Sequence, residues 1–142
     1  MFKRILIATD GSDYSRRAFK TAVQIAEKFD AVVELLHVAD SSVAGSGVAD
    51  MDGQYLVSAE DIAEFSKTIM DRTTANIDVS VIKIGYKTIP GKPAAVILEE
   101  LRRDFDLAVL GTRGLKPWAG AVLGSVAQRV VAESPCPVLI VK

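Results

Sequence analysis

Cysteine occurs once in the chain, at Cys136, so no disulfide can close within it and no metal cluster can rest on thiolates. Histidine also occurs once, at His37. With no evident nucleophile or second ligand beside it, His37 is expected to be a half-buried strand residue, not a catalytic base. An excess of charge is missing too: 17 Lys and Arg face 18 Asp and Glu, a formal net charge of −1. Without an overall positive field, binding to nucleic acid or to an anionic membrane is not expected. No apolar run approaches the roughly 18 residues of a membrane span. The opening run of four apolar residues, Ile5 to Ala8, ends at Thr9 and Asp10 and is too short for a signal-peptide core. A cytoplasmic location is therefore expected. No low-complexity segment or internal repeat is visible, and the P-loop pattern Gly-x4-Gly-Lys-Ser/Thr does not occur.

What is present suits one domain over residues 1–142, with 49% apolar residues to build a core. Short apolar runs alternate with helical patterns. Residues 5–8, 31–38, 79–85, 107–110 and 137–141 read as strands. Ser12 or Asp13 can cap a first helix, whose Ala18, Phe19, Ala22, Val23, Ala26 and Phe29 form one apolar stripe. Ser58-Ala59-Glu60-Asp61 resembles a capping box with a shorter acid at its end, opening a helix in which Ile62, Phe65, Ile69 and Thr73 share a face. Pro93 suits the first turn of a third helix, packed through Ala94, Ile97, Leu98 and Leu101. Residues 125–132 form a short fourth helix, closed before Pro135. Residues 39–57 make a long serine- and glycine-rich segment.

Strands alternating with amphipathic helices build a parallel sheet covered on both faces. The expected fold is α/β: a doubly wound five-stranded parallel sheet in the order 3-2-1-4-5. The first and fourth strands are then neighbours, and ligands bind beyond the carboxyl ends of strands where the winding reverses. One lip of that crevice carries Asp10-Gly11, the other Gly111-Thr112-Arg113-Gly114. Gly111 and Gly114 lack Cβ, so they can take positive φ, admit a ligand close to the backbone and form an anion nest. Gly124-Ser125 opens a helix whose first N–H groups lack intrahelical partners and whose dipole favours an anion. The Ser125 hydroxyl can donate to a phosphate, and Arg113 and Lys116 add positive charge. Each glycine alone is more often structural; their convergence at the switch point marks an anion site.

The spacing Gly111-x2-Gly114-x9-Gly124-Ser125 resembles the pattern of the universal stress protein family. The resemblance spans nearly the whole chain: Ile5 to Ser12 is similar to the family's opening strand and turn, Leu36-His37-Val38 to the end of its second strand. Gly91-Lys92-Pro93-Ala94 resembles the start of its third helix, and residues 134–141 its closing strand. It implies an adenine nucleotide alpha hydrolase-like fold and an adenine nucleotide site. Ala8, Thr9 and Asp10 would line the nucleoside side, and Val38 would meet adenine through its backbone. Gly111, Thr112, Arg113, Gly114, Leu115 and Lys116 would wrap the ribose and phosphates, with Gly124, Ser125 and Val126 holding the phosphates. The complete glycine pattern implies the ATP-binding group of the family, with ATP, ADP or AMP as ligand. Pro117 and Trp118 depart from the smaller or more flexible residues of many relatives. The resemblance also implies a homodimer through strand 138–141, in keeping with an apolar edge that needs covering.

Asp10 would repel phosphate directly, so its functional place is beside the ribose hydroxyls or a Mg²⁺ carried by ATP. Otherwise it is a turn residue accepting N–H bonds. Cys136, between two prolines, reads as a small apolar filler. Three functions compete. The first is a dimeric regulatory or stress-response module that binds ATP and hydrolyses it slowly at most, since only Asp10 is a candidate for orienting water. The second is a nucleotide-dependent transferase on the same fold, for which a His-x-Gly-His type motif is missing. The third is a nucleotide-free dimerisation module.

Overall fold

The computed structural model describes residues 1–40, 58–114 and 123–142. Among these, strands and helices alternate: β1 (Arg4–Thr9), α1 (Asp13–Phe29), β2 (Val32–Ala39), α2 (Ala59–Thr74), β3 (Lys83–Pro90), α3 (Pro93–Leu101), β4 (Leu107–Gly111), α4 (Ser125–Glu133) and β5 (Val138–Val141). The strands form one parallel sheet in the order β3-β2-β1-β4-β5, as expected. β1 lies between β2 and β4, with Ile5 opposite Val33 on one side and Leu107 on the other.

This placement follows from side-chain alternation along β1. Ile5 and Ile7 face one core, shared with Val33, Leu35, Val109 and, from α1, Ala18, Phe19 and Ala22. Leu6 faces the other, shared with Leu36, Ala108 and Leu110, Ile97, Leu98 and Leu101 of α3, and Val130 of α4. Ile5, Leu6 and Ile7 are all at most 1% exposed, so β1 is buried on both faces. Burying each such side chain stabilises the fold by about 1.5–3 kcal/mol.

The helix starts follow the sequence closely. Ser12, not Asp13, caps α1, its hydroxyl accepting the Ser15 N–H. Ser58 and Asp61 make the capping box of α2: the Ser58 hydroxyl accepts the Asp61 N–H, and the Asp61 carboxylate accepts the Ser58 N–H. Pro93 opens α3.

Several boundaries and faces differ. β3 begins at Lys83, not at residue 79, and runs on to Pro90. Residues before it are taken by a turn: the Asp78 carboxylate accepts both the N–H and the hydroxyl of Ser80, and the Ile82 N–H donates to the Val79 carbonyl. Such side-chain bonds compete with the strand ladder. Pro90 is tolerated because β3 is an edge strand and the residue ends it. Phe65, expected on the packed face of α2, is 39% exposed, while Ser66 and Met70 turn inward. Phe29 is also part-exposed and rests edge-on against Phe2. At other ends the limits move by a residue or so, β2 extending over Ala39. The rest of the long segment, 41–57, lies outside the described residues.

Candidate functional site

β1 and β4 lie side by side, and the helices that follow them, α1 and α4, pack on opposite faces of the sheet. Between their carboxyl ends lies a crevice of about 450 Å³, within the range of small-molecule sites. Its wall toward β2 and α3 is apolar, made by Ala8, Val38, Pro93, Ile97 and Leu110. Its polar groups come from the turn after β1, the segment after β4 and the start of α4: Thr9, Asp10, Thr112, Arg113 and Ser125. An apolar slot beside polar donors suits a ligand with a flat apolar body and a charged end.

The lip after β1 is tightly built. Gly11 has φ of 80°, a conformation glycine adopts without steric cost, and its N–H donates to Thr9 Oγ1 at 3.1 Å. Asp10 Oδ1 accepts the Ser12 N–H at 2.9 Å, so the expected turn role is real. Its other oxygen reaches across to the second lip: a Cβ on Gly114 would lie 2.6 Å from Asp10 Oδ2. Asp10 therefore both shapes its own turn and spans the crevice mouth.

The glycines of the second lip work differently from the expectation of positive φ. Among the described residues, positive-φ glycines are Gly11 and Gly91, not Gly111, Gly114 or Gly124. A Cβ on Gly111 would sit 2.8 Å from the backbone carbon of Tyr14, so this glycine lets α1 press on the end of β4. Gly114 makes room for Asp10. Gly124 is the N-cap of α4, at φ −66° and ψ 158°, and its N–H donates to the Thr112 carbonyl at 2.6 Å. Gly111 and Gly114 therefore do not use the left-handed freedom of glycine, and the residues that follow Gly114 in this turn lie outside the described residues.

The start of α4 has the features that suit an anion. Gly124 offers no side-chain cap, unlike Ser12 and Ser58. The first intrahelical bond is donated by the Gln128 N–H to the Gly124 carbonyl. The N–H groups of Ser125, Val126 and Ala127 therefore have no intrahelical acceptor and lie at the positive end of the helix dipole. All three residues line the crevice, and the exposed Ser125 hydroxyl stands at its rim.

The crevice thus gathers Ala8, Thr9, Asp10, Val38, Gly111, Thr112, Arg113, Gly114, Gly124, Ser125 and Val126. Leu115 and Lys116 lie outside the described residues, as do Pro117 and Trp118. Sequence reasoning missed Ser15, Pro93, Ile97, Leu110, Leu123, Ala127 and Gln128 as lining residues. Ala127 and Gln128 follow from extending the helix start by one turn; Pro93 and Ile97 carry in the sequence only the signals of a helix opener and a packing face.

His37 is 4% exposed, more buried than expected, and its Nδ1 lies 2.8 Å from Ser66 Oγ. Burial lowers its pKa below the ordinary imidazole value, partly offset by the Asp10 carboxylate, and it does not line the crevice. Cys136 packs as a half-buried member of the second core. Among the described residues no group of three or more His, Cys, Asp or Glu could hold a metal ion. A cation here would need ligands from a bound phosphate beside the single carboxylate of Asp10, a coordination that suits Mg²⁺. No helix among the described residues is long and apolar enough to cross a membrane.

Comparison with known proteins agrees with this geometry. A model of the universal stress protein family matches residues 1–142. A universal stress protein of Methanocaldococcus jannaschii is 36% identical over 143 residues, covering 100% of this chain and 83% of the relative. A solved hypothetical protein, whose biochemical function was assigned from its structure, has a TM-score of 0.76 and 26% identity, covering 100% of this chain and 96% of its own. A universal stress protein in complex with cAMP has a TM-score of 0.68 and 28% identity, covering 99% and 96%.

Proposed function

The chain belongs to the universal stress protein family, and from its crevice we propose that it is a cytoplasmic, dimeric regulatory module that holds an adenine nucleotide, with ATP as the main ligand. The observation that carries this reading is the start of α4. Its first N–H groups, which have no intrahelical acceptor, open onto the same crevice as an apolar slot of suitable size. Adenine lies against Ala8, Val38, Pro93 and Ile97, taking hydrogen bonds from the backbone near Val38. The ribose faces Asp10, and the phosphates lie between Arg113 and the N–H groups of Ser125 to Ala127. The solved relative that holds cAMP supports an adenine nucleotide as the ligand class.

Binding, not turnover, is the main event. Among the described lining residues Asp10 is the one carboxylate, and no histidine lines the crevice. Mg²⁺ bound with ATP would take one ligand from Asp10 and would screen the phosphate charge. Fast phosphoryl transfer requires more groups than that to orient water and stabilise the moving phosphoryl. ATP hydrolysis is therefore slow at most.

The dimer forms through the outer edge of β5, which pairs with β4 on its inner side. Val138 to Val141 are all half-buried apolar residues, a strand suited to further covering. Analytical ultracentrifugation at micromolar concentration is expected to show a dimer; a monomer there defeats this part.

The nucleotide reading is tested by denaturing the purified protein, identifying released molecules by mass spectrometry and titrating ATP, ADP and AMP into the emptied protein. An adenine nucleotide released, and ATP bound at micromolar to submillimolar concentration, is expected. No binding to any of the three at millimolar concentration would leave a nucleotide-free dimerisation module. Rapid conversion to a new product would indicate a transferase.

A further inference from the structure

Among the described residues, all the buried polar residues but Glu100 of α3 gather in one place. Thr9, Ser12, Ser15, His37, Ser66 and Thr73 are each at most 5% exposed. Thr9 points to the same face of β1 as Ile5 and Ile7, and His37 is its neighbour across the β1–β2 ladder. Thr73 and Ser66 come from α2, and Ser12 and Ser15 from the start of α1. This hydroxyl layer lies directly beneath the Asp10 turn.

Thr9 is its centre. Thr9 Oγ1 lies 2.7 Å from Thr73 Oγ1 and 2.9 Å from Ser15 Oγ, and accepts the Gly11 N–H at 3.1 Å. Ser15 Oγ also reaches the Ser12 carbonyl at 2.9 Å, and Thr73 Oγ1 the Ile69 carbonyl at 2.7 Å. Each hydroxyl carries one proton. When both hydroxyl contacts of Thr9 are bonded, it donates to one neighbour and accepts from the other. Its side chain is then held from both sides, and so is the amide of Gly11.

α2 meets the turn at a second point. A Cβ on Gly11 would lie 2.8 Å from Ile69 Cδ1, so the left-handed glycine sits directly on α2. Yet α2 supplies none of the residues that line the crevice. Thr9, Asp10 and Ser15 do line it. The bond from Thr73 to Thr9 thus ties a helix outside the crevice to one of its lips.

We propose that Thr73 is a positioning residue for the crevice: through Thr9 it holds the Asp10-Gly11-Ser12 turn in the conformation that receives the ligand. This rests on the nucleotide reading above. A buried Thr at this place is not needed for packing alone, since valine has its shape. Its hydroxyl serves to order Thr9, and through Thr9 the Asp10 carboxylate.

The experiment compares Thr73→Val, Thr73→Ser and Met70→Ala with the wild type by thermal melting, ATP titration calorimetry and NMR hydrogen exchange of the Gly11 amide. Met70 is buried one turn away in the same core and touches none of these hydroxyls in the bonds above. Thr73→Val is expected to weaken ATP binding about three- to tenfold, the worth of one lost hydrogen bond, and to speed Gly11 exchange. Thr73→Ser, which restores the hydroxyl, is expected to return affinity to within about twofold of wild type. Met70→Ala is expected to lower Tm at least as much as Thr73→Val while leaving affinity within about twofold. Unchanged affinity in Thr73→Val, or an equal loss in Met70→Ala, overturns the proposal and leaves the nucleotide reading standing. A wild type that binds no adenine nucleotide overturns both.

Discussion

Gly111 and Gly114 stand three residues apart in one motif, yet the structure gives them opposite sensitivities to a methyl group. An alanine Cβ at position 111 would lie 2.8 Å from Tyr14 C, 2.8 Å from Tyr14 Cβ and 2.9 Å from Tyr14 O. These atoms belong to or adjoin the backbone of α1 and cannot rotate away, so the helix itself must shift. Overpacking of this kind costs about 1–3 kcal/mol, and an immovable neighbour puts Gly111→Ala near about 2–3 kcal/mol. For a domain of this size each kcal/mol lowers Tm by roughly 3–4 °C, so a drop of about 6–12 °C is expected. At position 114 the Cβ would meet Asp10 Oδ2 at 2.6 Å, with Asp10 Cγ at 3.8 Å. That oxygen ends a rotatable side chain, so the fold gives way at a cost of about 1 kcal/mol or less. The displaced carboxylate then no longer spans the crevice mouth, and ATP affinity falls. Circular dichroism melts and titration calorimetry on both variants read the two effects apart. If Gly111→Ala melts within about 2 °C of wild type, α1 does not press on β4 as described. If Gly114→Ala loses stability as heavily as Gly111→Ala, the division of roles between these glycines is wrong.

Asp106 Oδ2 accepts the N–H groups of Lys3 at 2.7 Å and Arg4 at 2.8 Å, tying the start of β1 to the start of β4. The Arg4 bond first, then the Lys3 bond, lowers its pKa below the ordinary carboxylate value. A depressed folded pKa contributes stability above the unfolded pKa, near about 4, that is lost as pH falls through the folded value. Tm measured from neutral pH down into the acid range should therefore fall less steeply in Asp106→Asn than in wild type; parallel curves would count against the bonds. Glu100 is 3% exposed and is held by Lys87 of β3 at 2.6 Å and Arg103 at 3.5 Å. Removing one partner of a buried charge is costly, and with the Lys87 side chain 37% exposed, Lys87→Met is expected to cost about 1–3 kcal/mol in urea unfolding. A variant as stable as wild type would mean that Arg103 alone satisfies Glu100.

The order of the sheet was legible because each signal was local and strong. Ile5, Leu6 and Ile7 can be buried together only in a central strand, and Ser12, Ser58 and Pro93 mark helix starts by chemistry that acts within one turn. The start of β3 was not legible from apolar content. Val79 and Ile82 look like strand residues, but Asp78 and Ser80 divert the backbone into a turn first. Phe65 was misplaced because a helical stripe shows which residues share a face, and not which edge of that face meets the sheet. Glu100 is a charged residue within the α3 pattern, and its burial depends on Lys87, thirteen residues away and on another strand. The same limit hid the Thr9–Thr73 bond, which joins residues 64 positions apart.

The glycine motif itself shows how residues can be brought to one crevice through a partly different cause. The spacing suggested glycines that bend the backbone around an anion, yet none of Gly111, Gly114 and Gly124 has positive φ. Their shared property is the missing Cβ, and each uses it against a different neighbour. Gly111 admits α1, Gly114 admits Asp10, and Gly124 packs with its Cβ position 3.3 Å from the Thr112 carbonyl that its own N–H binds. Thr112 is in turn held by the end of β5, its N–H donating to the Val141 carbonyl at 3.0 Å. The motif therefore draws the two lips together and sets the uncapped start of α4 beside them. The groups suited to an anion are the helix N–H groups that follow the last glycine, and the glycines are what allow those groups to face Asp10 across so narrow a crevice.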